Sequence, residues 1–157
     1  VAARPIISDE LARFLASGLS VTVGTRDDEL QPDVAVAWAA RVLDDRSHVL
    51  IYLAREAAKA MARNLKRHPE IAVAFDLPTT QRACQVKGVF VSTRPAKAQE
   101  RAEVERQAHA FNNDLAGIGI TNSMVAGWTL WPCAVIEFRV TELFEQTPGP
   151  GAGEPLT

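Results

Sequence analysis

Residues His48–Phe75 read HVLIYLAREAAKAMARNLKRHPEIAVAF, and the order of side chains in this stretch decides the fold. His48 to Ala54 is a short apolar run following the turn formers Asp44-Asp45-Arg46-Ser47, as a buried strand requires. From Glu56 to Arg67 strong helix formers take over, with Met61 and Leu65 on one face and Ala60, Asn64 and Arg67 on another. Pro69 cannot continue that helix, and Glu70 to Phe75 alternates as a strand.

Working outward, Ser8 caps a short helix that carries Leu11, Phe14 and Leu15 on one face, with Gly18 placed to end it. Leu19 to Gly24 alternates as a half-buried strand, and Asp33 to about Leu43 follows as its hairpin partner. Beyond the opening stretch, Gln81 to Thr93 is a long strand interrupted by Gly88. Val104, Ala108, Phe111 and Leu115 then draw one apolar stripe down a helix from about Ala96 to Leu115. Residues 117–132 read as irregular, and Cys133 to Phe144 as the last strand. Six strands joined mainly by tight turns predict an α+β fold: a six-stranded antiparallel split β-barrel of Greek-key type with peripheral helices.

Composition narrows the function classes. At 47% hydrophobic and 23% charged residues, the chain has the profile of one domain, set at residues 1–146, with a Pro/Gly-rich tail at 147–157. Seventeen basic against nineteen acidic residues leave a net charge of −2, which argues against nucleic acid as a partner. The apolar runs fall short of the roughly 20 residues of a membrane helix, so no membrane association is expected. Cys84 and Cys133 read as buried thiols of a reducing compartment, and Val1 to Pro5 lacks the core of a secretory signal, which together imply a cytoplasmic protein. His48, His68 and His109 lie far apart without ligands at metal spacing, so no metal site is expected. Neither a Gly-rich nucleotide motif nor a nucleophile elbow occurs, and the catalytic residues are unassigned.

A cluster of cations stands out. Arg41 on a strand, Arg55 and Lys59 at a strand-to-helix junction, and Arg63 one turn later could converge on a phosphate beside a helix N-terminus. Tyr52 and Leu53 could line a ring, as could Trp128 among the three tryptophans, although apolar strand ends and tryptophans are more often core.

The order of Val49-Leu50-Ile51-Tyr52, Lys59 to Leu65, His68 to Phe75 and Gln85-Val86-Lys87-Gly88 resembles the flavin-binding half of the pyridoxamine 5'-phosphate oxidase-like split-barrel family, over about residues 8 to 94. The resemblance implies FMN as cofactor, a homodimer with a site shared between both chains, and an FMN-dependent oxidoreductase acting on an unidentified small molecule. Arg82 joins the implied cofactor-binding set, beside Ala83 where the family has Gln. A family Ser-Arg-Lys falls on Lys59-Ala60-Met61, and a family Arg and Lys fall on Val36 and Arg41. The departures at Ala60, Met61 and Ala83 favour an alternative, a non-enzymatic flavin or haem binder on the same barrel; a further alternative is a deazaflavin-dependent reductase, whose longer cofactor tail asks more of a basic groove. The tail composition predicts disorder or docking across the dimer near the ligand, so its deletion is expected to spare thermal stability and weaken ligand retention.

Overall fold

In the computed structural model, which describes residues 6–156, six antiparallel strands close into a barrel in the order β1-β2-β3-β6-β5-β4. The strands are β1 (Ser20–Arg26), β2 (Pro32–Val42), β3 (His48–Ala54), β4 (Glu70–Leu77), β5 (Arg82–Pro95) and β6 (Cys133–Glu145). Helices α1 (Asp9–Leu15), α2 (Arg55–Arg67), α3 (Arg101–Gly117) and α4 (Asn122–Val125) lie around it. Strand β1 pairs Val21 with Ala37 on one side and with Phe75 on the other, so the alternation read in β1 and β4 sends Val21, Val23, Ile71, Val73 and Phe75 into one interior.

Strand β3 is buried on both faces. Its inward side chains Val49, Ile51 and Leu53 join the barrel core, while Leu50 and Tyr52 point outward and are covered by Val104 of α3 together with Cys133 and Val135 of β6. Helix α2 packs against five of the six strands and buries Ala58, Met61 and Leu65, so it covers an open end of the barrel.

Two glycines are imposed by close approach. Gly18 has φ +96°, and a Cβ there would sit 2.6 Å from Ala110 Cβ and from the Gln107 carbonyl oxygen, which lets α3 press onto the turn after α1. Gly88 sits at a register shift between β5 and β6, where a Cβ would meet the Arg139 carbonyl oxygen at 2.5 Å.

Helix α3 starts later than its apolar stripe suggests. Glu100 Oε2 accepts from the Lys97 amide at 2.7 Å, and the chain first makes a 3-10 turn over Ala98–Glu100. Within the stretch read as irregular, Asn122–Val125 forms the single turn α4. The tail also departs from its expectation: Leu156 N donates to Leu143 O at 2.9 Å, Gly153 N to Glu145 O at 2.7 Å, and Pro155 bridges Phe144, so the segment turns back onto its own β6.

Candidate functional site

The charged face of α2 forms one wall of an open groove of about 460 Å³. Arg55, Lys59, Arg63 and Lys66, spaced four, four and three residues apart, stand along it, and Ala58, Ala62, Pro95 and Ala134 give it an apolar floor. Among the described residues none of these four cations makes an ion pair, whereas Arg26, Arg46, Arg67, Arg82, Arg94, Arg101 and Arg106 each do. Ala54 at the N-cap offers no side-chain acceptor to the first turn, whose Arg55 amide donates instead to the Pro132 carbonyl at 3.3 Å. Unpaired cations, uncapped helix amides and an apolar floor suit an anion attached to a flat apolar body.

Beside this groove lies a second cleft of about 400 Å³, and Arg94 lines both. Its guanidinium clasps Glu100, donating from Nη2 to Oε1 at 2.7 Å and from Nη1 to Oε2 at 2.8 Å. The Tyr52 hydroxyl donates to Glu100 Oε1 at 3.0 Å. Hydrogen bonds from Arg94 first, then from the Lys97 amide and Tyr52, hold the Glu100 carboxyl at about 2 against the opposing effect of burial. Burial first, then the hydrogen bond to Glu100 and its charge, push the Tyr52 hydroxyl up to about 12.

The eight residues read as cofactor-binding fall into separate places. Arg55, Lys59 and Arg63 come together in the α2 groove, while Arg41 and Tyr52 line the second cleft. Leu53 is fully buried inside the barrel, so its side chain serves the core. Arg82 stands apart from both spaces, 3.1 Å from Glu10 and with its guanidinium 4.2 Å from the Phe14 ring centroid. Trp128 packs with Phe111 and Trp38, its ring centroid 6.3 Å and 5.5 Å from theirs. Met61, at the position of a family Lys, is buried with its Sδ 3.2 Å from Thr25 Oγ1, and Val36 lies outward on β2. Sequence reading missed Lys66, which helical spacing from Arg63 could have found, and Arg94 and Glu100, which are joined only by the turn after β5. Among the described residues no three His, Cys, Asp or Glu side chains gather as metal ligands.

The outer surface carries one further feature. Val34 and Val36 of β2 are 61% and 49% exposed, and their cross-strand neighbours are Gly24 and Thr22 of β1, followed by Ala72 and Ala74 of β4. Small side chains thus surround two exposed valines on a broad sheet face.

The protein-family model of pyridoxamine 5'-phosphate oxidase matches residues 7–145. Among solved structures, HupZ of Group A Streptococcus is similar with 16% identity and TM-score 0.56, over 94% of this chain and 100% of that one. An F420 reductase is similar with 15% identity and TM-score 0.52, over 83% and 92% of the two chains. An FMN-binding protein of Syntrophomonas wolfei has 18% identity and TM-score 0.51, over 86% and 83%. At these identities the likeness is one of fold. No curated protein sequence matches.

Proposed function

Because the chain belongs to the pyridoxamine 5'-phosphate oxidase family, we propose that it binds FMN in the α2 groove as a homodimer and serves as an oxidoreductase for a small molecule. The observation that carries this reading is the set of four unpaired cations over an apolar floor. Lys59 and Arg63 hold the phosphate, the uncapped start of α2 adds its dipole, and Ala62, Pro95 and Ala134 support the apolar body. Bound there, the isoalloxazine supplies the redox chemistry. Where the family pattern has a Lys, this chain has Met61, which lies in the barrel core, and its cations stand at Arg55, Lys59, Arg63 and Lys66 instead. The buried, unpaired thiols of Cys84 and Cys133 suit the reducing cytoplasm that this reading assigns.

The length of the cationic stripe favours a second reading. Arg55 to Lys66 spans roughly 16 Å at about 1.5 Å per residue, which exceeds the reach of one phosphate and suits a deazaflavin with a longer anionic tail. The absorption spectrum of purified protein, with the mass of any released cofactor, separates the two, and a haem spectrum would sink both. Lys59→Ala and Arg63→Ala should each weaken FMN at least about tenfold while leaving riboflavin unchanged, since each removes a charge-assisted phosphate contact. Equal losses for both ligands would remove these residues from the phosphate site.

A further inference from the structure

Glu100 is bound by its own chain in the way that proteins bind a foreign oxyanion. Each of its oxygens accepts two hydrogen bonds: Oε1 from Arg94 Nη2 at 2.7 Å and Tyr52 OH at 3.0 Å, Oε2 from Arg94 Nη1 at 2.8 Å and the Lys97 amide at 2.7 Å. A guanidinium fork, a hydroxyl and a backbone N–H form the donor set that recognises carboxylate and phosphate. The Glu100 side chain is only 10% exposed there, while Arg94 keeps 34% of its side chain exposed toward the cleft and groove.

The donors come from β3, from the end of β5 and from the turn that follows, whereas the acceptor rides on the 3-10 turn at Ala98–Glu100. The adjoining cleft carries two more cations, Arg41 and Lys97. Its other acids are already engaged: Glu103 with Arg106 at 2.6 Å and with Gln107 Nε2 at 2.8 Å, and Glu137 by the Ser92 hydroxyl at 3.1 Å. Without Glu100, this end of the cleft is a positive, donor-rich seat.

We propose that Glu100 is a built-in ligand, whose carboxylate fills an oxyanion seat made by Arg94, Tyr52 and the Lys97 amide and thereby restricts the cleft to small molecules that carry no phosphate or carboxylate at that end. The proposal needs no bound flavin, so its failure is distinct from failure of the cofactor reading.

The test titrates inorganic phosphate and acetate, without added flavin, into protein whose α2 groove is disabled by Lys59→Ala and Arg63→Ala, with position 100 either left as wild type or carrying Glu100→Ala or Glu100→Gln, reading melting temperature and binding heat. Vacating the seat should give Glu100→Ala a saturable response to either anion, with a phosphate Kd at least tenfold below that of wild type. Adding Arg94→Ala to the Glu100 variant should abolish the response. Should Glu100→Ala fail to fold, Glu100→Gln decides, because its N–H₂ faces donors where the seat needs an acceptor and the neutral side chain yields the seat to an anion; phosphate should then raise its melting temperature and leave wild type unmoved. Neither variant responding more than wild type would overturn the proposal, as would phosphate binding to wild type as tightly as to Glu100→Ala.

Discussion

Gln107 of α3 holds both backbone polar groups of Ala40 on β2: its Nε2 donates to the Ala40 carbonyl at 2.8 Å, and its Oε1 accepts from the Ala40 amide at 3.0 Å. Strand β1 pairs with β2 only as far as Val21 opposite Ala37, so Ala40 lies past the end of its neighbour. The glutamine amide takes the place of a missing strand residue and ties α3 to the barrel beside the second cleft. Gln107→Leu leaves an amide and a carbonyl unpaired in a buried place, at about 1–3 kcal/mol each. Chemical denaturation should show a loss of about 2–6 kcal/mol, and a loss below about 0.5 kcal/mol would show that water replaces the side chain freely.

That contact marks the limit of what one-dimensional reading could reach. The strands of the barrel were legible because β1 and β4 alternate buried and half-exposed residues, and α3 because Val104, Ala108, Phe111 and Leu115 keep helical spacing. Strand β3 was legible as a strand but not in its facing. With both faces covered it has no alternation, so Tyr52, which meets Glu100, and Leu53, which fills the barrel, looked alike. Arg41 seemed to join Lys59, but a register shift in β2 between Ala37 and Ala39 precedes it and its side chain lines the neighbouring cleft. The roles of Arg94 and Glu100 depend on a turn whose geometry their spacing does not announce.

Acid should destabilise the protein through Glu100. Its carboxyl is held at about 2 in the folded chain against an ordinary value of 4.5, so the folded state favours the ionised form. A depressed folded value contributes stability that is fully present above about 4.5 and disappears as pH falls through about 2. The contribution is on the order of 3 kcal/mol at most. Thermal unfolding from pH 7 to pH 2.5 should steepen in that window for wild type, while Glu100→Gln should start lower and lose less. Parallel curves would show that the carboxylate gains nothing from its donors.

The sheet face at Val34 and Val36 should be the surface on which two copies meet. Exposed valines among Gly24, Thr22, Ala72 and Ala74 allow close, flat contact between sheets. Sedimentation should find a dimer for wild type, and Val34→Asp with Val36→Asp should shift it to monomer by placing charge in an apolar contact. A wild-type chain that stays monomeric across concentration would reject this interface and the shared-site reading with it.

The tail should matter for stability and not for the cofactor, which reverses the expectation drawn from its composition. Its Pro and Gly residues form turns that carry Glu154 back to Glu145, whose amide donates to the Glu154 carbonyl at 2.9 Å. Leu156 then packs on the barrel core and lines a cavity with Phe14, Arg82 and Cys84, a different space from the α2 groove. Pro limits the freedom that this ordering removes, so the fold-back costs less entropy than its length suggests. Deleting residues 148–157 removes one partly buried leucine and several backbone hydrogen bonds, a loss of about 3 kcal/mol. For a domain of this size that lowers the melting temperature by roughly 5–10 °C. FMN affinity, measured well below that temperature, should stay within about threefold of wild type, because a change under about 0.7 kcal/mol is all that a distant deletion should transmit. A truncated chain that melts like wild type yet loses FMN would place the tail at the ligand instead.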